Sequence, residues 1–197
     1  EVINVTAADV EIAWLRVIPV TTRAGVDYTT AADRLHVHDC SFDLVTAAVS
    51  TSTKGVATTG ATQAPSHILI SHNYFESDGA QGAGVEVGDA INFVVEDNVF
   101  VVRAGGTWNH AATMTGVLGL GEFRDNDFLT LQASTMTIGI RGTDITSASS
   151  VGILRNFFMG DVTVPIDDFG SGDADISENY KADVGGAAGG VLWSSIT

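Results

Sequence analysis

The amino-acid sequence predicts an all-β protein, a solenoid in which about six to seven short coils stack on one another. Three observations carry that expectation. One eight-residue pattern recurs along most of the chain, its apolar residues alternate with a period of two, and no helical periodicity is sustained. The 197 residues include 22 glycines and many Thr and Val residues, which disfavours helix and suits strands joined by turns.

The pattern is an apolar residue, any residue, an apolar residue, two polar residues, Asn, any residue and Phe. Copies read Ile68-x-Ile70-x-x-Asn73-x-Phe75, Phe93-x-Val95-x-x-Asn98-x-Phe100 and Val151-x-Ile153-x-x-Asn156-x-Phe158, with a shorter one at Phe123-x-x-Asn126-x-Phe128. Ala174-x-Ile176-x-x-Asn179-x-Lys181 keeps the frame without the Phe, and Leu35-x-Val37-x-x-Cys40-x-Phe42 has Cys in the Asn place. Val10-x-Ile12-x-x-Leu15-x-Val17 reads as an aberrant first copy. From Leu15 through Cys40 and the five Asn positions the spacings are 25, 33, 25, 28, 30 and 23 residues. Unequal periods of this size fit coils that carry loops of different length.

Each residue type has a physical reason. Alternation makes each copy a strand with one face inward. Asn tolerates the left-handed conformation of a sharp bend between strands. Its amide both donates and accepts, so copies in successive coils can bond to one another. The Phe two residues later faces the same interior and stacks as a ladder. A second short strand per coil is expected at Val85–Val87, Gly116–Leu120, Met136–Ile140, Val164–Ile166 and Gly190–Trp193. Thr46–Pro65, Arg103–Thr115 and Arg141–Ser150 read as outward connections, the first explaining the longest spacing. Gly185–Gly190 is a joint before apolar Val191–Trp193. Residues 1–9 and 182–197 are the irregular ends of a single domain over 1–197, and they cap the open edges or bind a neighbour.

On these repeats the chain resembles the right-handed parallel β-helix proteins of the pectate-lyase-like superfamily, which includes polysaccharide lyases, phage tailspikes and other virion surface proteins. The resemblance covers roughly residues 10–181 and is specific for the fold, because the repeated residues are interior ones. It implies a homo-oligomer, in the phage members often a homotrimer.

Charge and composition exclude several classes. There are 24 acidic residues against 9 basic ones, a net −15, and only two of the bases are lysines, Lys54 and Lys181. Without a basic patch, neither nucleic acid backbone nor anionic lipid is an expected partner. Hydrophobic residues at 45% and charged ones at 17% exclude a disordered acidic tail. Runs such as Phe93–Val95 and Val99–Val102 are too short to cross a bilayer. The single Cys40 excludes a disulfide scaffold and a Cys-based zinc site. The chain starts at Glu1 without a methionine or a signal-like segment, as a processed product or a fragment would.

The residues preceding the Asn positions, Asp39, His72, Asp97, Asp125, Arg155 and Glu178, should form one outward column. Coils lie about 4.8 Å apart, which brings Asp97 and Asp125 together between His72 and Arg155. Such a carboxylate pair can share a proton or hold calcium. Polysaccharide lyases of the resembling family combine acidic calcium ligands with an Arg base, and Asp97, Asp125 and Arg155 match that set superficially. A solvated ladder of alternating charge is the favoured reading, as for the neighbouring surface pair Glu96 and Arg124.

His36 and His38 alternate outward beside Leu69 and Ser71 of the next coil, a placement compatible with metal but lacking a third ligand. They read as surface histidines. Asp167-Asp168 resembles the paired aspartates of β-helix polygalacturonases, without that family's Gly-His-Gly turn or Arg-x-Lys segment. Of Trp14, Trp108 and Trp193, only Trp108 falls in an expected loop, where it offers a sugar platform, and Trp193 suits an end cap or an interface anchor. No nucleophile elbow, phosphate loop or His-Glu-x-x-His segment occurs.

The expectation is a non-enzymatic structural protein with no catalytic residue, no metal and no cofactor. It would sit on a virion surface or outside the cell, as a phage capsid decoration or tail-associated protein bound to partners such as the major capsid protein. Two alternatives stand beside it: a lyase or glycoside hydrolase on an acidic polysaccharide, with carbohydrate as its partner, and a bacterial adhesin domain. The short chain, the missing motifs and a charge that repels polyanions weigh against the enzyme. Docking is expected at residues 1–10 and 191–197, helped by the loops 46–65 and 103–115.

Overall fold

A computed structural model describes residues 3–19, 24–29, 31–45, 53–58, 65–79, 82–116, 119–143, 150–167 and 173–182. They form three parallel sheets of seven strands each. The first stacks β1 (Ile3–Val5), β4 (Ala24–Tyr28), β7 (Lys54–Thr58), β10 (Val85–Gly88), β13 (Thr107–Thr115), β16 (Thr135–Thr143) and β19 (Val162–Asp167). The second stacks β2 (Glu11–Ala13), β5 (His36–His38), β8 (Ser66–Ser71), β11 (Ile91–Glu96), β14 (Leu120–Arg124), β17 (Ser150–Leu154) and β20 (Asp173–Ser177). The third stacks β3 (Arg16–Val17), β6 (Ser41–Asp43), β9 (Tyr74–Ser77), β12 (Val99–Val102), β15 (Asp127–Thr130), β18 (Phe157–Met159) and β21 (Tyr180–Ala182). The chain visits the three sheets in rotation, so every strand between the edge strands pairs with the strand three before it and the strand three after it. This is a parallel β-helix.

The register follows the repeat frame. Ile12, Val37, Ile70, Val95, Phe123, Ile153 and Ile176 pair in one row of the second sheet. In the third sheet the row is Val17, Phe42, Phe75, Phe100, Phe128, Phe158 and Lys181. Each copy of the pattern is therefore bent across two sheets. The left-handed residue of the bend is the one before Asn, not Asn itself: Asp39, His72, Asp97, Asp125, Arg155 and Glu178 all have φ between 51° and 56°. Such a φ costs roughly 1 kcal/mol or more for most side chains.

Asn is freed for bonding instead. The backbone N–H and the Nδ2 of Asn73 both donate to Oδ1 of Asn98, each at 3.0 Å. The same double donation runs from Asn98 to Asn126, from Asn126 to Asn156 and from Asn156 to Asn179. Cys40 starts the column with its backbone N–H on Asn73 Oδ1. Nδ2 of Asn98, Asn126 and Asn179 also donates across its own bend to the carbonyl two residues back, at 2.9–3.1 Å. Beside this column the rings of Phe42, Phe75, Phe100, Phe128 and Phe158 stack with centroids 4.7–4.9 Å apart, the strand spacing itself.

The first sheet makes room for that ring stack. Val26, Val56, Val85, Ala112 and Ile140 share a row, and the residues preceding them are Gly25, Gly55, Gly84, Ala111 and Gly139. A Cβ on Gly55 would overlap the Gly84 carbonyl and lie 2.7 Å from the Phe75 ring, and one on Gly139 would overlap the Phe158 ring. A row of very small residues is thus the counterpart of the Phe ladder.

Several sequence expectations change here. Thr46–Pro65 is not only a connection, since β7 lies within it and its small Gly55, Val56 and Ala57 are buried. Arg103–Thr115 is mostly β13, and β16 takes in Arg141–Thr143. Trp108 is wholly buried, with Nε1–H donating to the Gly82 carbonyl at 2.9 Å, so it is no exposed platform. Of the strand expected at Gly116–Leu120, Gly116 follows the end of β13 with φ +79° and Leu120 opens β14, while 117–118 lie outside the described residues. The N-terminal end becomes regular at Ile3, which pairs with Val26. Gly185–Gly190, Val191–Trp193 and the rest of 183–197 lie outside the described residues.

Two stability outcomes follow. Asn98→Leu strands two donors of Asn73, at about 1–3 kcal/mol for each buried group left unpaired; denaturant unfolding should show a loss in that range or above. Gly55→Ala should lose about 1–3 kcal/mol by overpacking the Gly84 carbonyl and the Phe75 ring, whereas Ala at the equivalent position 111 is already native. A Gly55→Ala midpoint equal to wild type would contradict the small-residue row.

Candidate functional site on the outer face of the second sheet

The outward rows of the second sheet and its adjoining bend carry most of the chemistry-bearing side chains that the sequence singles out. One row is Glu11, His36, Leu69, Val94, Glu122, Gly152 and Asp175; the other is Ala13, His38, Ser71, Glu96, Arg124, Leu154 and Ser177. A shallow groove of about 800 Å³ runs over this face, with Leu69, Val94, Leu120 and Leu154 as apolar lining and Glu96, Glu122, Arg124 and Asp175 as polar lining.

Charges here hold one another. Arg124 donates through Nε to Glu96 and through Nη1 to Glu122, both at 2.8 Å. The hydrogen bond to Glu96 holds its guanidinium above the ordinary arginine range. The Glu96–Arg124 pairing expected from sequence is thus present, with Glu122 as a further partner.

In the bend column, Arg155 grips Asp125 through two bonds of 2.8 Å, and Asp97 has His72 Nε2 at 3.8 Å. The column thus pairs His72 with Asp97 and Arg155 with Asp125, the favoured ladder of opposite charges rather than a shared Asp97–Asp125 carboxylate pair. Arg155 pulls Asp125 below the usual carboxylate range and is itself pushed up by that bond. These pairs are partly exposed and contribute little to stability.

The histidines sit as the register predicts, His36 opposite Leu69 and His38 opposite Ser71. His36 Nε2 lies 3.0 Å from Ser71 Oγ. His38 is held at both nitrogens, Nδ1 at 2.7 Å from Asp39 and Nε2 at 2.8 Å from Glu11. The two rings stack with centroids 4.0 Å apart, and Trp14, 78% exposed, meets His38 edge-on. Sequence reasoning missed Glu11, although its distance of 25 residues from His36 is the repeat spacing and marked it as a neighbour. Asp167 pairs in register with Arg141, and Asp168 lies outside the described residues. Among the described residues no group of three or more His, Cys, Asp or Glu side chains is arranged to hold a metal. No family model matches this sequence, and no curated protein or solved structure shows significant similarity to it.

Hydrogen bonds to Asp39 and Glu11 raise the His38 pKa above its ordinary value, whereas burial and then the charge of His38 lower that of His36. Near pH 6.5, the unperturbed value, His38 should be the cation and His36 the neutral partner. The stability from His38 is fully present below that pH and is lost as pH rises through its raised folded value. His36 acts oppositely, costing stability as acid forces a proton onto it. Imidazole NMR titration should find His38 titrating at the higher pH, and Glu11→Gln should bring its midpoint down. The reverse order would contradict the hydrogen-bond assignment.

Proposed function

We propose that the chain is a non-enzymatic structural protein of a particle surface, a virion decoration or tail-associated protein anchored to the shell protein beneath it. The observation that carries this is the filled interior, with Asn bonds running from Cys40 to Asn179 and rings stacked from Phe42 to Phe158. A rod packed by its own side chains is stiff without any ligand, and it presents an extended side surface at a set distance from its anchor. The mutual pairing of Arg124, Arg155 and His38 with their acids supports contact rather than proton transfer. A net charge of −15 keeps crowded copies from aggregating.

The reading predicts that mass spectrometry of purified virus particles finds this chain at stoichiometry comparable to the shell protein, and that the recombinant protein rebinds particles stripped of it. Recovery from a secreted bacterial fraction with none in particles would favour an adhesin. Cleavage of an acidic polysaccharide that disappears in Arg155→Ala would favour the enzyme.

A further inference from the structure

Among the described residues, two buried side-chain polar atoms have no hydrogen-bond partner, Oγ1 of Thr58 and Oγ1 of Thr113. Thr58 shares its row with the buried Tyr28. Thr113 lies on the other side of the first sheet. Its neighbours on β13, Ala112 and Met114, belong to the core, so its own row of Glu86, Thr113, Arg141 and Asp167 faces outward. Thr113 is nevertheless only 5% exposed. A hydroxyl left unpaired at that depth destabilises the fold unless something else uses it.

Arg141, in register with Thr113 on the next level, is a second anomaly. Arg16, Arg34, Arg103, Arg124 and Arg155 each hold a carboxylate. Arg141 is in no ion pair among the described residues, although Asp167 stands beside it in the row. Glu86, on the far side of Thr113, is taken by Lys54 at 2.5 Å. His110 lies three residues before Thr113 on the same strand. Burial and then the charge of Arg141 push its pKa down, with Glu86 and Lys54 also within electrostatic reach. It is therefore a neutral imidazole near pH 7, with one N–H to donate.

We propose that Arg141 and Thr113, with His110 beside them, form a binding site for the carboxylate of a small acid. The guanidinium presents two parallel N–H groups to the two carboxylate oxygens, and the Thr113 hydroxyl donates a third bond. Charge selects a monoanion. Lys54 and Glu86 cancel, Arg141 supplies one positive charge, and Asp167 opposes a second negative charge on the ligand. Depth selects a compact group. The Thr113 hydroxyl has almost no exposed surface, so a ligand reaches it by displacing the flexible side chains next to it in the row, Glu86 and Arg141. That displacement and the small number of contacts make the affinity modest. The site does not depend on the particle-surface reading, since a stiff rod of any function could carry it.

Acetate is the probe, titrated into the full chain at constant ionic strength with chloride as the balance. The NMR signals of Arg141 Nε–H and of the His110 ring should shift and saturate, with a midpoint of roughly millimolar order. Phosphate should bind severalfold more weakly than acetate. Arg141→Gln should abolish saturation, and Arg141→Lys should weaken binding about tenfold because an ammonium lacks the fork. Thr113→Val should weaken acetate severalfold while leaving thermal stability equal or higher, since it removes an unpaired buried hydroxyl. A purely structural Thr113 would change stability alone. Shifts that rise linearly with acetate, or saturation that persists in Arg141→Gln, overturn the site. Tighter binding of phosphate than of acetate overturns the ligand class. If Arg141→Gln does not fold, undiminished acetate binding by Thr113→Val overturns the proposal, and weakened binding supports it.

Discussion

Oδ1 of each interior Asn from Asn98 to Asn179 accepts two hydrogen bonds from the level below, one from a backbone N–H and one from a side-chain amide. The rest of the stack depends on that convergence. A slip of one residue in any coil would turn its apolar set outward, and it would also leave two buried donors without an acceptor. The bend that positions Asn requires a left-handed residue just before it, a conformation that His72, Arg155 and Glu178 adopt at a cost. The Asn amide offsets the cost by tying the bend to the neighbouring levels, and at Asn98, Asn126 and Asn179 it bridges the bend as well. With Asn in place, the Phe two residues on can only stack on the Phe of the next coil, and the first sheet must present Gly or Ala where the rings arrive.

The same register organises the exterior. Because interior positions are aligned level by level, outward positions are aligned too, and like charges would face each other at the strand spacing. Alternation avoids this for Glu96 with Arg124 and for His38 between Glu11 and Asp39, and where Asp97 and Asp125 fall on successive levels each has its own partner, His72 and Arg155. The chemistry-bearing groups of the second sheet are thereby engaged with each other. On the third sheet Asp43 and Glu76 are likewise held, by Arg16 and Arg103.

The second and third sheets were largely legible in the sequence. The Asn and Phe spacings reproduce the strand register, including the aberrant first copy, because each of those coils has one alternating apolar pair and one bend. The first sheet was poorly legible for a physical reason. Its strands bury consecutive residues, such as Ala24-Gly25-Val26 and Ala111 to Met114, so the period of two disappears. Its key positions are glycines, which resemble turn residues until the Phe rings opposite them are seen. Trp108 fell into an expected loop on the same account. In the site, adjacency was readable but partner choice was not: spacing places Arg155 one level from both Asp125 and Glu178, and side-chain geometry selects Asp125.

Amide hydrogen exchange, followed residue by residue, tests the Asn column most directly. If paired Asn oxygens hold the levels in register, the backbone N–H groups of Asn73, Asn98, Asn126 and Asn156 should exchange only through global unfolding, with a common protection free energy. Exchange of these four amides at the rate of an exposed turn such as Gly105, or at four unrelated rates far below global protection, would show that the column does not bind the coils together.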